Sequence, residues 1–147
     1  MTIDMRQALP ADISGVLALY AQPGLDDGKV LDEAAAQQVF AQFDRYPNYR
    51  LFVATEDGAV VGSYALLIMH NLAHCGTPSA IAEDVVVAPE SQGKGIGRRM
   101  MAHALSETRS AGCYKLALSS NRKRTQAHAF YESLDFDQHG LSFVIEP

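Results

Sequence analysis

Apolar and polar positions change period along the chain, and each change marks an element. Ile3 and Met5 alternate with polar residues up to Leu9, which predicts a first strand. Pro10-Ala11-Asp12 then opens a helix with proline in its first turn, and Ile13, Val16, Leu17 and Tyr20 fall on one face. Pro23 to Gly28 reads as a loop. A second helix from about Leu31 carries Ala35, Val39, Phe40 and Phe43, and Tyr46-Pro47-Asn48 breaks it. Leu51 to Ala54 is a strand, and Glu56-Asp57-Gly58 turns it back into another from Val60 to His70. The Asp-Gly pair between β-formers is a hairpin signal. Thr77 to Val87 predicts a fourth strand, with Glu83 and Asp84 as acidic residues inside an apolar run.

Pro89 stops that strand, because its ring has no N–H to give to a ladder. A glycine-rich turn follows and opens a helix with Ile96, Met100, Ala104, Leu105 and Thr108 on one face and Gly112 as its stop. Tyr114 to Leu118 predicts a fifth strand and Asn121-Arg122-Lys123-Arg124 a basic connector. The next helix places Ala127, Phe130, Tyr131 and Leu134 together, and Phe136 to Ile145 predicts a closing β segment. This order predicts an α/β (α+β) chain: one domain over residues 1–147, with a mixed central β-sheet flanked by helices.

Composition narrows the function. A chain of 147 residues suits one domain and can bury about two-thirds of its unfolded surface, enough for a core without staples. Twelve basic against seventeen acidic residues give a net charge of −5, which argues against nucleic acid as a partner. Cys75 and Cys113 make no disulfide framework, so a reducing compartment is expected. The N-terminal residues show no signal-type apolar run, and no stretch approaches the ~20 apolar residues of a membrane span. A cytoplasmic protein without a membrane partner is the expectation.

The chemistry concentrates at Gln92-Gly93-Lys94-Gly95-Ile96-Gly97-Arg98-Arg99. Glycines at a helix start leave backbone N–H groups bare where the macrodipole favours negative charge, and Lys94, Arg98 and Arg99 add cations. The turn therefore suits a phosphate or pyrophosphate. A Walker A loop fails, because Gly95 and not Ser or Thr follows Lys94. A Rossmann fingerprint fails too, since Gly93-x-Gly95 is followed by Arg98 where a third glycine is needed. The pattern Q/R-x-x-G-x-G/A is met by Gln92, Gly95 and Gly97.

That hexapeptide, with a strand before it, a helix after it and Phe130-Tyr131-Glu132-Ser133-Leu134-Asp135-Phe136 downstream, resembles the GNAT N-acetyltransferase superfamily. Glu83 to Val87, the turn and Gly112-Cys113-Tyr114-Lys115 are similar to glucosamine-6-phosphate N-acetyltransferases. Ser120 to Arg124 with Ala127-His128 is similar to aminoalkylphosphonate acetyltransferases. Two positions depart from the family pattern: Asp135 stands where glycine is usual, and Arg124 where many members carry asparagine.

The resemblance implies acetyl-CoA as co-substrate, no metal, and a small-molecule amine as acceptor. It implies that backbone groups of Val85 and Val87 pair with the pantetheine arm. It further implies that Gln92, Gly93, Lys94, Gly95, Ile96, Gly97 and Arg98 hold the pyrophosphate, with Asn121 and the basic run after it near CoA or an anionic substrate. Tyr131 is implied as the donor to the departing thiolate, a role that a phenol of pKa ~10 can fill at neutral pH. The amine must lose a proton before it attacks, and a carboxylate on a mostly buried strand can take it. Adjacent strand residues face opposite sides unless a bulge intervenes, so Glu83, in preference to Asp84, is expected to face the cleft.

The acceptor is expected to meet the Gly24–Lys29 loop, the second helix and Met69-His70-Asn71. His70, His74 and Cys75 fall at a strand end and are not read as metal ligands; His103 and His128 are read as surface helix residues. A non-catalytic acyl-CoA-binding domain and a protein N-terminal acetyltransferase stay open as alternatives. So does a homodimer, since many members of the family dimerise.

Overall fold

A computed structural model describes residues 2–147. The chain divides into two compact units, Met1–Ala117 and Leu118–Pro147. The first holds a five-stranded sheet in the order β1-β2-β3-β4-β5, antiparallel from β1 to β4 and parallel between β4 and β5. Its strands are β1 (Ile3–Gln7), β2 (Tyr49–Glu56), β3 (Ala59–Met69), β4 (Ser79–Val87) and β5 (Leu116–Ala117). Its helices are α1 (Ile13–Tyr20), α2 (Glu33–Gln42) and α3 (Ile96–Ser110).

Local chemistry explains how the elements start and stop. Pro10–Asp12 forms a single 3-10 turn before α1. There Asp12 accepts both guanidinium nitrogens of Arg6, at 2.6 and 2.9 Å, and the Leu9 N–H at 2.7 Å. These bonds fasten the helix entry to β1 and hold the Asp12 carboxyl below the usual carboxylate range. The Asp32 side chain caps α2 by accepting the Ala35 N–H. Asp57 and Gly58 both take positive φ, 50° and 85°, as a two-residue turn between right-twisted strands requires.

Helices cover both faces of the sheet. Ile13 and Val16 of α1 and Ala36 of α2 pack on Leu51, Val53 and Ala65. On the opposite face α3 brings Ile96, Met100 and Ala104 against β2 and β3, where Phe52 and Tyr64 stack 5.3 Å apart. β2 is consequently buried at five consecutive positions and does not alternate. Gly62 lets α3 come this close, because a Cβ there would sit 2.6 Å from Met100 Sδ and 3.3 Å from both Ile96 Cγ2 and the Val86 carbonyl. Gly62→Ala is expected to destabilise the protein by about 1–3 kcal/mol through overpacking. Its chemical denaturation midpoint, set beside the native chain's, checks this.

His103 is not a surface residue. Its Nδ1 lies 2.7 Å from the Tyr64 hydroxyl and its ring packs edge-on against Phe52. Burial pushes the Tyr64 phenol up and the His103 imidazole down, and which of the two donates follows the imidazole tautomer. Glu107, held at 3.0 Å by Arg50, sits 3.8 Å from His103 Nε2. This network ties α3 to the sheet.

The second unit carries α4 (Thr125–Ser133) and irregular chain on either side of it. The predicted closing β segment from Phe136 to Ile145 does not form: no ladder is made, and Leu141, Phe143, Val144 and Ile145 are 84–96% exposed. The side chains suit a strand, but strand preference measures fit to a paired, half-buried surface, and none is offered to this segment. The fifth strand is likewise shorter than expected, two residues in place of Tyr114 to Leu118. Asp135 takes φ 68°, the left-handed conformation that glycine usually supplies and aspartate tolerates.

Candidate functional site

β4 is paired fully on one side and barely on the other. It runs beside β3 from Ser79 to Val87, but meets β5 only at Ala80–Leu116 and Ile81–Ala117. Ala88 N–H donates to the Val61 carbonyl, so the backbone groups one residue earlier point away from β3. The Val87 carbonyl confirms the direction: it accepts from Gln22 Nε2 at 3.2 Å and from Gln92 Nε2 at 3.4 Å. Val85 lies two residues earlier on β4, directly after Asp84. Of the two valines predicted for a backbone role, Val87 turns its backbone groups to this edge.

The edge runs into the glycine turn. Pro89–Ser91 makes a 3-10 turn, and Gly93 and Gly95 then take φ 79° and 83°. A Cβ at either glycine would meet nothing within 4 Å, so this backbone lies open. α3 begins at Ile96, and its first return bond from this turn runs from Arg99 N–H to the Gly95 carbonyl. Ile96, Gly97 and Arg98 fall at the helix positions that have no carbonyl behind them, which gathers three amides at the positive end of a fifteen-residue helix. Ile96 itself is buried and anchors the turn.

Two predicted members behave differently from the rest. The Gln92 N–H is bonded to the Pro89 carbonyl and its carboxamide to Val87, so Gln92 braces the turn and the strand edge. Arg99 reaches back to the Ile3 carbonyl at 3.3 Å and belongs to β1, not to the turn. Lys94 and Arg98 are exposed beside the bare amides. The arrangement fits an extended, amide-bearing arm along β4 that ends in a diphosphate at the turn.

Glu83 and Asp84 lie at a β-bulge. The register passes from Ala65–Glu83 to Ser63–Val86, and Asp84 takes φ 52°. The strict alternation on which the choice of Glu83 over Asp84 rests is therefore broken here. Both carboxylates raise the Tyr49 phenol, and Asp84 also raises Tyr20. Burial, with Asp84 adding repulsion, lifts the Glu83 carboxyl above its ordinary value; burial and Asp26 do the same for Asp84.

The segments expected to meet the acceptor do not all gather around one cavity. The Gly24–Lys29 loop and α2 face one cavity of about 520 Å³, to which Asp26 and Lys29 contribute. Asn71 is elsewhere, closing the β3–β4 connection through Thr77 and Ser79. His74 stacks on Tyr114 at 4.4 Å, with Cys75 exposed beside it. Among the described residues no group of three or more His, Cys, Asp or Glu side chains gathers as metal ligands would. No described helix is long and apolar enough to cross a membrane.

Within the second unit Asn121 spends its side-chain oxygen on the Lys123 N–H, and its backbone carbonyl meets Arg124 N–H and His128 Nε2. The Asn121 amide N–H₂ is left to give, and His128, a half-exposed helix residue, is tethered to the Asn121 carbonyl. Tyr131 is buried between Phe130 and Phe136, at ring distances of 5.3 and 5.7 Å. Burial raises its phenol and Arg124 lowers it by less, so it stays protonated at neutral pH. Tyr20, Tyr49 and Asp26 carried no signal in the sequence beyond helix and loop positions; the bulge and the packing of α1 and α2 bring them to the acidic pair.

Comparison with known proteins bears on this geometry. The family model for acetyltransferases of the GNAT family matches residues 17–136, from α1 through the turn to Phe136. An aminoalkylphosphonate N-acetyltransferase from Salmonella typhimurium is 33% identical over 96% of this chain and 89% of its own length. A glucosamine 6-phosphate N-acetyltransferase from Trypanosoma brucei brucei is 36% identical over 61% of this chain and 59% of its own. The solved structure of a protein from Agrobacterium tumefaciens str. C58 superposes with a TM-score of 0.91 at 38% identity, covering 98% of this chain and 99% of that one. An open β4 edge that leads into a bare-amide turn, in a sheet of this order and under this family match, makes the chain an acetyltransferase of the GNAT family.

Proposed function

We propose that the protein transfers the acetyl group of acetyl-CoA to the primary amine of a small molecule, by direct attack while both are bound. The observation that carries this is the unpaired β4 edge continuing into the Gly93–Arg98 turn. When bound, acetyl-CoA supplies an acetyl carbon on a thioester. In this reading the edge groups of Val85 and Val87 pair with the pantetheine amides. The Val87 carbonyl is already held by two glutamines, so its N–H is the group it has to offer. Amides from Gly93 to Arg98, with the Lys94 and Arg98 cations, hold the pyrophosphate; Gln92 keeps the turn in place; Asn121 offers its amide N–H₂.

Glu83 takes a proton from the acceptor ammonium, directly or through water. The nitrogen then bonds to the acetyl carbon, the C–S bond breaks, and the Tyr131 hydroxyl gives its proton to sulfur. The nitrogen's second proton restores the phenol. Most of the acceleration comes from holding amine and thioester together.

Residues 1–147 act in this reading as one acetyltransferase domain, which the family match across residue 117 supports. Free thiols at Cys75 and Cys113 support a cytoplasmic setting. The test is CoA-thiol release from acetyl-CoA over a panel of amines against pH. A base must be ionised, so the rate is expected to climb as pH rises through the elevated Glu83 value and to fall below it. Glu83→Gln is expected to remove that limb and lower kcat about a hundredfold. A protein that binds acetyl-CoA and releases no thiol with any amine overturns the reading.

A further inference from the structure

The cavity between α1, α2 and the loop joining them indicates which amines enter. Its volume, about 520 Å³, is in the range of small-molecule sites. Leu17, Val30, Leu31, Phe40 and Phe43 supply its walls, and the polar groups among them come only from Tyr20, Asp26 and Lys29. Leu31 and Val39 on its rim are each 49% exposed, so apolar surface here stands open to a partner. One end is acidic. Tyr20 lies within reach of both Asp84 and Asp26, and those two carboxylates in turn sense each other. Tyr20 and Asp26, both on the cavity wall, are thus the lining residues that feel the Asp84 charge.

Charge decides between two kinds of acceptor. A phosphate or phosphonate carries up to two negative charges and is held by arginine forks or several N–H donors. Here a lone lysine faces it, with Asp26 beside that lysine and Asp84 nearby. An ammonium on a hydrocarbon body meets the opposite situation, apolar walls for the body and carboxylates for the cation. We propose that the acceptor is an alkyl or arylalkyl primary amine without an anionic group, its body in this cavity and its ammonium toward Asp26 and Asp84. The inference rests on the acetyl-transfer reading above and parts from the phosphorylated or phosphonylated acceptors in two of the relatives' names. Acetylation leaves a neutral amide, which has lost the charge that Asp26 and Asp84 attract, so product release follows from the same arrangement.

The test compares kcat/KM for hexylamine and 2-phenylethylamine with that for 2-aminoethylphosphonate and glucosamine 6-phosphate, using the full chain and saturating acetyl-CoA. The apolar amines are expected to win by at least tenfold. Leu31→Lys, on the exposed rim, is expected to raise their KM about tenfold and leave the KM for acetyl-CoA where it was. Equal or better turnover of the anionic amines, or a Leu31→Lys variant with unchanged amine KM, overturns this inference and leaves the acetyl-transfer reading standing. Acetyl-CoA binding with no thiol release from any of the four amines overturns this inference, and the acetyl-transfer reading falls with it only when the wider amine panel is silent too.

Discussion

Tyr131→Phe is expected to lower kcat about a hundredfold while acetyl-CoA affinity stays within about twofold, the scale of a lost general acid. The substitution keeps the ring that packs between Phe130 and Phe136 and deletes only the oxygen. Its structural cost is small for that reason. What is lost is the proton for sulfur: a thiol near pKa ~8.5 leaves more readily protonated, and the buried phenol is a donor across the neutral range. Affinity for the nucleotide portion is assigned to backbone amides of another segment, which this change does not touch. Unchanged kcat would reduce Tyr131 to a packing residue. Equilibrium binding of acetyl-CoA, measured beside steady-state turnover, separates the two roles.

Gly95→Val should act on binding. Gly95 sits at φ 83°, where a non-glycine residue costs roughly 1–2 kcal/mol and a β-branched one is strained further. Space is not the obstacle, since nothing lies within 4 Å of a Cβ there. The backbone relaxes instead, and the amides of Ile96, Gly97 and Arg98 no longer converge. Acetyl-CoA affinity is expected to fall at least tenfold, as read by calorimetry. Gly112→Val is the control: φ is 73° and space is again open, but the residue lies beyond the other end of α3. It is expected to lower stability similarly and leave affinity unchanged. Equal affinity losses in the two variants would mean that general destabilisation, not the turn, is being measured.

The turn was legible in the chain because its signal is local. A strand, a proline, glycines at fixed spacing and an amphipathic run all lie within about twenty-five residues, from Ser79 to Met101. The Asp57-Gly58 hairpin and the Gly112 stop were legible for the same reason. The bulge was not. Alternation sets Glu83 and Asp84 apart, and the one-residue slip that breaks it depends on the pairing with β3, not on the local residues. The cavity depends on how α1 and α2 pack, and Tyr20 looks in the sequence like one more stripe residue. His103 fails the same way, since its partners Tyr64 and Phe52 are thirty-nine and fifty-one residues away. The closing strand shows the converse error: a segment with strand-forming side chains is not a strand until an edge accepts it.

That closing segment has a consequence for the protein at high concentration. Leu141-Ser142-Phe143-Val144-Ile145 carries no charge and no proline, and its backbone makes no ladder. A stretch of that composition can template cross-strand stacking between molecules. Gly140 precedes it, and Glu146 and Pro147, a charge and a residue unable to donate to a ladder, follow it. Aggregation of concentrated samples is expected to start here, and Phe143→Lys is expected to reduce it, as light scattering at high concentration would show.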